Sequence, residues 1–347
     1  MSRLILNLAI FIAYTKAILK IIRKIIPYIF SLLIASILLR YTYRNMSFGD
    51  LCSQVQELEW RWIGASILLG LLSHLMRAYR WKLFLQPVGF NVDLMRTFSA
   101  LMTGYLGNLF VPRLGEIIRC SVLRRTTTTI PMGTLLGTVV LERIIDLIGF
   151  LIIMAWTFVV SFSEITFTLQ SITFPSINYK KLGWVLAVIV AVLGWCILII
   201  YRNSNHHLLN NRLSSAKSFV INIKKGFYSI LVSQEKMLIV YTTILKWGLY
   251  YLSDYVGIFA IHATSHLNWR VGLSILTMSS LSFAVPIQGA IGAYHILISS
   301  SLMAYGISQS NALLYAGVIH AMHMLTILIC GGISLVFTRL WTKSKKD

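Results

Sequence analysis

Long apolar runs separated by short polar segments dominate the chain. A helix that crosses a bilayer needs about 20 mostly apolar residues. Windows of that length lie at about 25–43, 62–85, 133–162, 183–201, 236–263 and 311–338. The pattern therefore predicts an all-α polytopic membrane protein with about six full spans, held in a single transmembrane domain over residues 25–338.

Two further apolar regions, at about 97–125 and 271–304, are each interrupted in the middle by proline and glycine. The first break reads GNLFVPRLGE and the second reads AVPIQGAIGAY. The two ends of each region favour the same side of the membrane, so neither region is expected to cross it. We predict two re-entrant hairpins that enter from opposite faces, which is the arrangement of inverted-repeat transporters.

The distribution of basic residues predicts the orientation. The chain has 31 Lys and Arg against 11 Asp and Glu, a formal net charge of +20, and is 57% hydrophobic. Basic residues concentrate near both termini, at 77–96 and at 202–236, so the positive-inside rule places both termini in the cytoplasm. The same pattern predicts an interfacial amphipathic segment at 1–24, a cytoplasmic surface helix at about 205–235 and a basic tail at 339–347. No soluble module offers a basic surface to nucleic acid, so a nucleic-acid partner is not expected.

Charged residues inside the apolar regions predict a polar cavity. Each costs about 2.5–3.5 kcal/mol at the centre of a bilayer, so their side chains should face a cavity or one another. Arg113, Glu116 and Arg119 recur at helical spacing after the first break, and can form an ion-paired strip. Arg113 also lies at the start of a half-helix, beside free backbone N–H groups that suit a phosphate or carboxylate.

A second set of charges lies at helical spacing on two of the predicted spans, and we expect these charges to pair. Glu142 and Asp146 share a helix face, Arg143 is spaced to pair with Asp146, and Lys246 and Asp254 form one stripe on a later span. For this intramembrane charge network, structural ion pairing and substrate contact both stay open.

No catalytic, metal or cofactor site is expected. His295, His320 and His323 could approach one another, but no carboxylate or cysteine is spaced to complete a metal site. We therefore expect packing and hydrogen bonding from these histidines. The four cysteines are scattered singly, and the sequence has no nucleophile motif and no phosphate-binding loop of the Walker A type.

Four motifs in combination resemble a known family. RAYRWKLFL, NLFVPRLGEIIRCSVLRR, LERIIDLIGF and PIQGAIGAY are similar to the lysylphosphatidylglycerol synthase transmembrane-region family. This flippase-like domain also forms the N-terminal part of the multiple peptide resistance factor, and the resemblance runs from about residue 60 to 338. The matching positions are Asn108, Pro112, Arg113, Gly115, Glu116, Arg119, Glu142, Arg143, Asp146, Pro286, Gly289 and Gly292. The usual P-x-P-G-G-x-G of the third motif departs here at Gln288 and Ala290, so the preferred lipid is expected to differ if this motif selects it.

The resemblance implies a lipid flippase or transporter of the bacterial inner membrane. Its cargo would be an anionic, aminoacylated or polyprenyl-linked lipid, moved between leaflets by a flippase part without a synthase domain. The candidate residues for the lipid headgroup and its cavity are Asn108, Pro112, Arg113, Glu116, Arg119, Gln288 and Gly289. A membrane-embedded transferase and a non-transporting accessory protein of lipid or envelope-glycan metabolism are the alternatives. The expected partner is a membrane lipid, and a homo-oligomer or a lipid-synthesis partner stays open.

Overall fold

The structure is a computed structural model that describes residues 32–44, 48–111, 113–127, 130–172, 235–285 and 287–343. These residues form eleven α-helices and no strand. The helices are α1 (Leu32–Tyr43), α2 (Phe48–Gln56), α3 (Trp60–Leu85), α4 (Leu94–Phe110), α5 (Gly115–Thr127), α6 (Met132–Val160), α7 (Phe162–Ile172), α8 (Lys236–Gly257), α9 (Trp269–Ser282), α10 (Ala293–Ala304) and α11 (Gln309–Lys343). The predicted segment 1–24, the span at 183–201 and the surface helix up to residue 234 lie outside the described residues.

Two of the described helices, α6 and α11, are long and apolar enough to cross a membrane. Only 11% of the most apolar stretch of α6 is buried in the protein, and large side chains such as Ile152, Trp156 and Val159 are exposed on it. An apolar helix whose apolar side chains face outward is expected where the surroundings are lipid. The chain is thus a helical membrane protein, as predicted, and the number of six spans stays a prediction.

Helices α4 and α5 form an antiparallel helical hairpin around the first break. At its open end, the Arg96 guanidinium donates to the Thr126 carbonyl at 3.4 Å. Near its closed end, Gly104 and Gly115 let the two backbones approach so closely that a β-carbon on Gly115 would collide with the Gly104 carbonyl oxygen. Asn108 also accepts a hydrogen bond from the Gly115 backbone at 2.7 Å, which satisfies one of the free N–H groups at the start of α5.

Helices α9 and α10 form a second helical hairpin around the second break. At its open end, the hydroxyls of Ser274 and Tyr305 lie 2.8 Å apart. At its closed end, Gly289, Ala290 and Gly292 have φ values of 56°, 58° and 85°, a left-handed backbone that lets the chain turn back within a few residues. Helix α1 packs on this break through a small apolar cluster.

The two hairpins meet at their closed ends. Leu109 packs against Gly289, so that a β-carbon at position 289 would lie 3.5 Å from Leu109 Cδ2. The Arg113 guanidinium lies 3.5 Å from the Ala284 carbonyl oxygen. Helix α6 begins just after the open end of the first hairpin, and Ser161 at its other end accepts a hydrogen bond from Tyr305 at the open end of the second, so the two open ends lie at opposite ends of α6.

Further contacts join two units of four helices each, α3–α6 and α8–α11. Helix α3 packs along α8, where Ser66 and Ser253 each donate to the other's carbonyl at 2.8 Å. Helix α4 of the first unit packs on α11 of the second, and α9 of the second packs on α6 of the first. In each unit the first helix of the hairpin therefore packs on the last helix of the other unit.

Four elements differ from the expected pattern. The segment between the predicted spans 25–43 and 62–85 contains α2, and α7 follows α6 after a single residue. Helix α11 continues through the first residues of the predicted basic tail to Lys343. Helix α8 ends at Gly257 and is followed by two short 3-10 turns rather than by continued helix to residue 263.

Candidate functional site

Eight charged side chains from four helices meet in one ion cluster. The cluster consists of Arg77 and Arg80 on α3, Glu116 and Arg119 on α5, Glu142, Arg143 and Asp146 on α6, and Lys246 on α8. Helix α3 packs along α8, and the first hairpin returns α5 to α6, so these four helices converge on one place. The ion cluster therefore belongs to the first unit with one cation supplied by the second.

Glu142 lies at the centre of the ion cluster. Its side chain is fully buried, and it accepts hydrogen bonds from Arg77 Nε at 2.6 Å and from Arg119 Nη1 at 2.9 Å. Arg80 Nη2 lies 4.0 Å away. Removing a carboxylate from water is costly unless cations and hydrogen bonds replace the water, and two guanidiniums do so here.

Asp146 lies one turn further along α6 and ties α3 to α8. It accepts from Arg80 Nη2 at 2.5 Å and from Lys246 Nζ at 2.6 Å, and Arg77 Nη2 lies 3.6 Å away. The predicted pairs of Arg143 with Asp146 and of Lys246 with Asp254 are wrong. Tertiary contacts across helices decide both pairings, since Arg143 projects toward α5 and Lys246 projects toward α6.

Glu116 and Arg143 form the outer edge of the ion cluster. Glu116 pairs with Arg119 Nε at 2.7 Å and with the Arg143 guanidinium. The Arg143 side chain is 46% exposed and that of Glu116 is 25% exposed, whereas Arg119 is 2% exposed. This ion pair is the part of the cluster that a molecule outside the protein can reach first.

Aromatic rings cover the buried cations of the cluster. The guanidinium of Arg119 lies 4.7 Å from the ring centre of Trp81, and Lys246 Nζ lies 4.1 Å from that of Trp247. Arg77 lies over Tyr105 and Arg80 over Phe84 at 5.6 and 5.8 Å. Each such contact contributes about 0.5–2 kcal/mol, which lowers the cost of holding cations away from water.

A groove of about 420 Å³ opens beside the outer ion pair. Its polar end is formed by Glu116 and Arg143, and its walls are apolar side chains of α6: Leu136, Val139, Val140, Ile144 and Leu147. Arg143 and Leu147 on this face of α6 are exposed, as are large apolar side chains further along the helix. The groove therefore joins the hydrocarbon side of the protein to the ion cluster.

Among the candidate residues of the two breaks, Glu116 and Arg119 belong to the ion cluster, Asn108 lines a crevice beside them, and Arg113, Gln288 and Gly289 lie apart from it. Arg113 is exposed and reaches toward the second break, and Asn108 caps α5. Gln288 is buried in the 3-10 turn of the second break, and the Gly289 carbonyl contacts His320 Nε2 at 2.8 Å. Pro112 and Pro286 lie outside the described residues.

Asp254 lies in the second unit, away from Lys246. It is buried, and no ion pair joins it to a described residue. The Tyr315 hydroxyl donates to its backbone carbonyl at 2.9 Å. The structure thus brings Glu142, Arg143, Asp146 and Lys246 together and leaves Asp254 outside the network.

Sequence reasoning missed Arg77 and Arg80 as members of the network. Both count toward the basic residues that set orientation, but Arg80 is fully buried and Arg77 nearly so. Their spacing by three residues places them on one helix face, just as the spacing by four residues places Glu142 and Asp146 on one face of another helix. That complementary pair of spacings is the signal that could have found them.

Three of the described histidines, His74, His295 and His320, take part in packing and hydrogen bonding, whereas His323 Nε2 is buried without a hydrogen-bond partner. His295 and His320 lie edge to face with ring centres 4.9 Å apart, and His74 Nδ1 lies 3.2 Å from the Tyr250 hydroxyl. Among the described residues, no group of three His, Cys, Asp or Glu side chains is placed to hold a metal ion.

One comparison with known proteins gives a match. The model of the family described as the lysylphosphatidylglycerol synthase TM region matches residues 28–331, which include both hairpins and the whole ion cluster. No curated protein and no solved structure matches the chain.

Proposed function

Because the chain belongs to the lysylphosphatidylglycerol synthase transmembrane-region family, we propose that it moves a lipid between the leaflets of the bacterial inner membrane. The family points to a membrane protein of lipid metabolism or of flippase type. In this proposal the cargo is an anionic, aminoacylated or polyprenyl-linked lipid, and both termini lie in the cytoplasm.

The groove beside the outer ion pair is the observation that carries the proposal. A lipid needs an apolar surface for its chain and polar groups for its head, and the groove offers both on the lipid-facing side of α6. The headgroup lies at Glu116 and Arg143 while an acyl or prenyl chain lies along Leu136, Val140 and Leu147. Ion pairs that can exchange partners lower the cost of bringing a charged headgroup into the membrane.

The two hairpins supply the moving parts in this proposal. The α4–α5 hairpin is re-entrant from the cytoplasmic face and the α9–α10 hairpin from the opposite face, as in inverted-repeat transporters. Rocking of one unit against the other parts the two breaks. Arg113, Asn108 and Gln288 then face the headgroup on its way through.

Reconstitution tests the proposal. The purified full chain is placed in liposomes with a fluorescent lipid, and an impermeant quencher measures how fast the label crosses between leaflets. Phosphatidylglycerol, lysyl-phosphatidylglycerol, phosphatidic acid and a polyprenyl phosphate are compared in labelled form. The protein is expected to accelerate the crossing of at least one of them over protein-free liposomes.

Variants of one exposed arginine and one control sharpen the test. Arg143→Gln is expected to slow transport because it removes the cation at the mouth of the groove. Arg61→Gln is the matched control, since its side chain is 73% exposed and pairs only with Glu59. If none of the four lipids crosses faster than in protein-free liposomes, the transport proposal fails, and a covalently altered lipid recovered from the same vesicles would indicate a transferase instead.

A further inference from the structure

The charges of the ion cluster do not balance. Five bases face three acids, which leaves a surplus of two positive charges, and only one base, Arg143, is substantially exposed. Buried charges without a counter-charge are strongly destabilising. Aromatic rings offset part of this cost, but they carry no negative charge.

Among the described residues, no acidic side chain outside the ion cluster forms an ion pair with one of its bases. The chain has eleven acidic residues, and only Asp50 and Asp347 have side chains outside the described ones. Asp50 belongs to α2, which comes just before the N-terminal end of α3. Arg77 lies 17 residues further along α3, about 25 Å from that end.

Several donors of the ion cluster also lack an acceptor. Within the described residues, Arg77 Nη2, Arg80 Nε and Arg119 Nη2 are buried and donate no hydrogen bond, and the Tyr105 hydroxyl is likewise buried without a partner. A native interior leaves few such groups unsatisfied, and each costs about 1–3 kcal/mol. Missing negative charge and missing acceptors in one place indicate an absent anion.

A narrow crevice beside the groove reaches two of these groups, Arg119 and the Tyr105 hydroxyl. It is too narrow to admit a water molecule as it stands, and it runs between the outer ion pair of Glu116 and Arg143 and the inner groups Tyr105 and Arg119. Arg119 is 2% exposed, and its free Nη2 belongs to a side chain that lines this crevice. Glu116, which pairs with both arginines, lies at the entrance and competes for them with any anion.

From this arrangement we propose that the ion cluster is a site for the phosphate monoester or diphosphate headgroup of a lipid. Such a group carries about two negative charges at neutral pH and has three or more acceptor oxygens, which matches the surplus charge and the free donors. The phosphate joins the Glu116 carboxylate on Arg119 and Arg143, where planar guanidiniums bind it with paired hydrogen bonds. The chain of the lipid lies in the apolar groove.

This inference rests on the proposed function and narrows it. A singly charged phosphodiester such as phosphatidylglycerol neutralises only half of the surplus. The cationic headgroup of lysyl-phosphatidylglycerol adds to it. The site therefore selects phosphatidic acid or a polyprenyl phosphate over both.

Binding rather than transport tests the inference. The purified full chain in detergent is titrated with phosphatidic acid, phosphatidylglycerol and lysyl-phosphatidylglycerol of identical acyl chains, and with inorganic phosphate, and bound ligand is counted by native mass spectrometry. Phosphatidic acid is expected to bind at least about tenfold more tightly than the other two lipids, since one additional charge-assisted hydrogen bond is worth about that factor. Inorganic phosphate, which lacks a chain for the groove, is expected to bind more weakly than phosphatidic acid.

Two variants with opposite expected effects on the affinity for phosphatidic acid distinguish a ligand site from a structural ion pair. Glu116→Gln removes the competing carboxylate, so phosphatidic acid is expected to bind about tenfold more tightly, whereas Arg143→Gln is expected to weaken it by a similar factor. A purely structural role of Glu116 would give no gain in affinity. Arg61→Gln is again the control and is expected to bind as the unmodified chain does.

The outcomes separate this inference from the transport proposal. Equal binding of phosphatidic acid and phosphatidylglycerol, or no gain with Glu116→Gln, overturns the phosphate site even if lipids cross between leaflets. Inorganic phosphate binding as tightly as phosphatidic acid overturns the lipid assignment and identifies free phosphate as the ligand. Selective binding of phosphatidic acid without movement between leaflets supports the site and overturns transport.

Discussion

Glu142 is the residue whose removal should perturb the protein most. Its carboxylate is fully buried and accepts from Arg77 at 2.6 Å and from Arg119 at 2.9 Å. In Glu142→Gln the shape is retained and the charge is lost, so both guanidiniums remain buried without their main counter-charge. Hydrogen bonds to charged groups contribute about 1.5–3 kcal/mol each, and breaking a buried ion pair by removing one partner costs about 3–5 kcal/mol.

We therefore expect Glu142→Gln to lower the free energy of unfolding by about 3–5 kcal/mol. At about 2 °C per kcal/mol for a large chain, Tm should fall by about 6–10 °C, which thermal unfolding in detergent micelles followed by circular dichroism can measure. Glu59→Gln is the control, because Glu59 pairs with Arg61 in solvent, where such a pair contributes about 0–1 kcal/mol. If Glu142→Gln unfolds within 2 °C of the unmodified chain, the ion cluster is not a buried, desolvated network and the reasoning is refuted.

Two further predictions concern packing and pairing. Gly115→Ala should destabilise the protein by about 1–3 kcal/mol because the new methyl group collides with the facing backbone of α4. Gly64→Ala is the control, since the space around Gly64 is open, and its unfolding temperature should stay close to that of the unmodified chain. A double-mutant cycle between Lys246 and Asp146 should give a coupling energy above about 1 kcal/mol, and a cycle between Lys246 and Asp254 should give no more than the roughly 0.5 kcal/mol expected of independent sites. The reverse order of coupling would contradict the pairing across α6 and α8.

The sequence predicted the broken helices because proline and glycine act locally. The break before Gly115 and the break around Gly289 both lie where the apolar regions are interrupted, and both are closed ends of helical hairpins. At the second break, Ala290 adopts a φ of 58°, which normally favours glycine. The resemblance had marked this position as a departure from the family motif.

The ion pairs could not be predicted from spacing along one helix. Arg143 and Asp146 lie on neighbouring turns of α6, but one projects toward α5 and the other between α3 and α8. Each therefore pairs with whatever helix packs on its side, and helix packing is a property of the whole fold. Arg80 was misread for a related reason, since proximity to a helix end says little about burial when another helix covers that end.

The short helices α2 and α7 also escaped prediction. Helix α7 comprises Phe162–Ile172 and follows α6 with no glycine or proline to mark the boundary. Its position depends on packing against α10 of the other unit. A contact between residues so far apart in sequence leaves no local signal.

The most direct test is to measure from which side of the membrane the open end of each hairpin can be labelled. In a chain whose four cysteines are replaced by serine, single cysteines are placed at Met95 and Arg125, at the open end of the first hairpin, and at His266 and Ser308, at the open end of the second. An impermeant maleimide is then applied to sealed membrane vesicles of each orientation. The account predicts that the first two positions react from the cytoplasmic side only and the last two from the opposite side only. Labelling of Met95 and Arg125 from opposite sides would show that the first hairpin crosses the membrane, which contradicts the account.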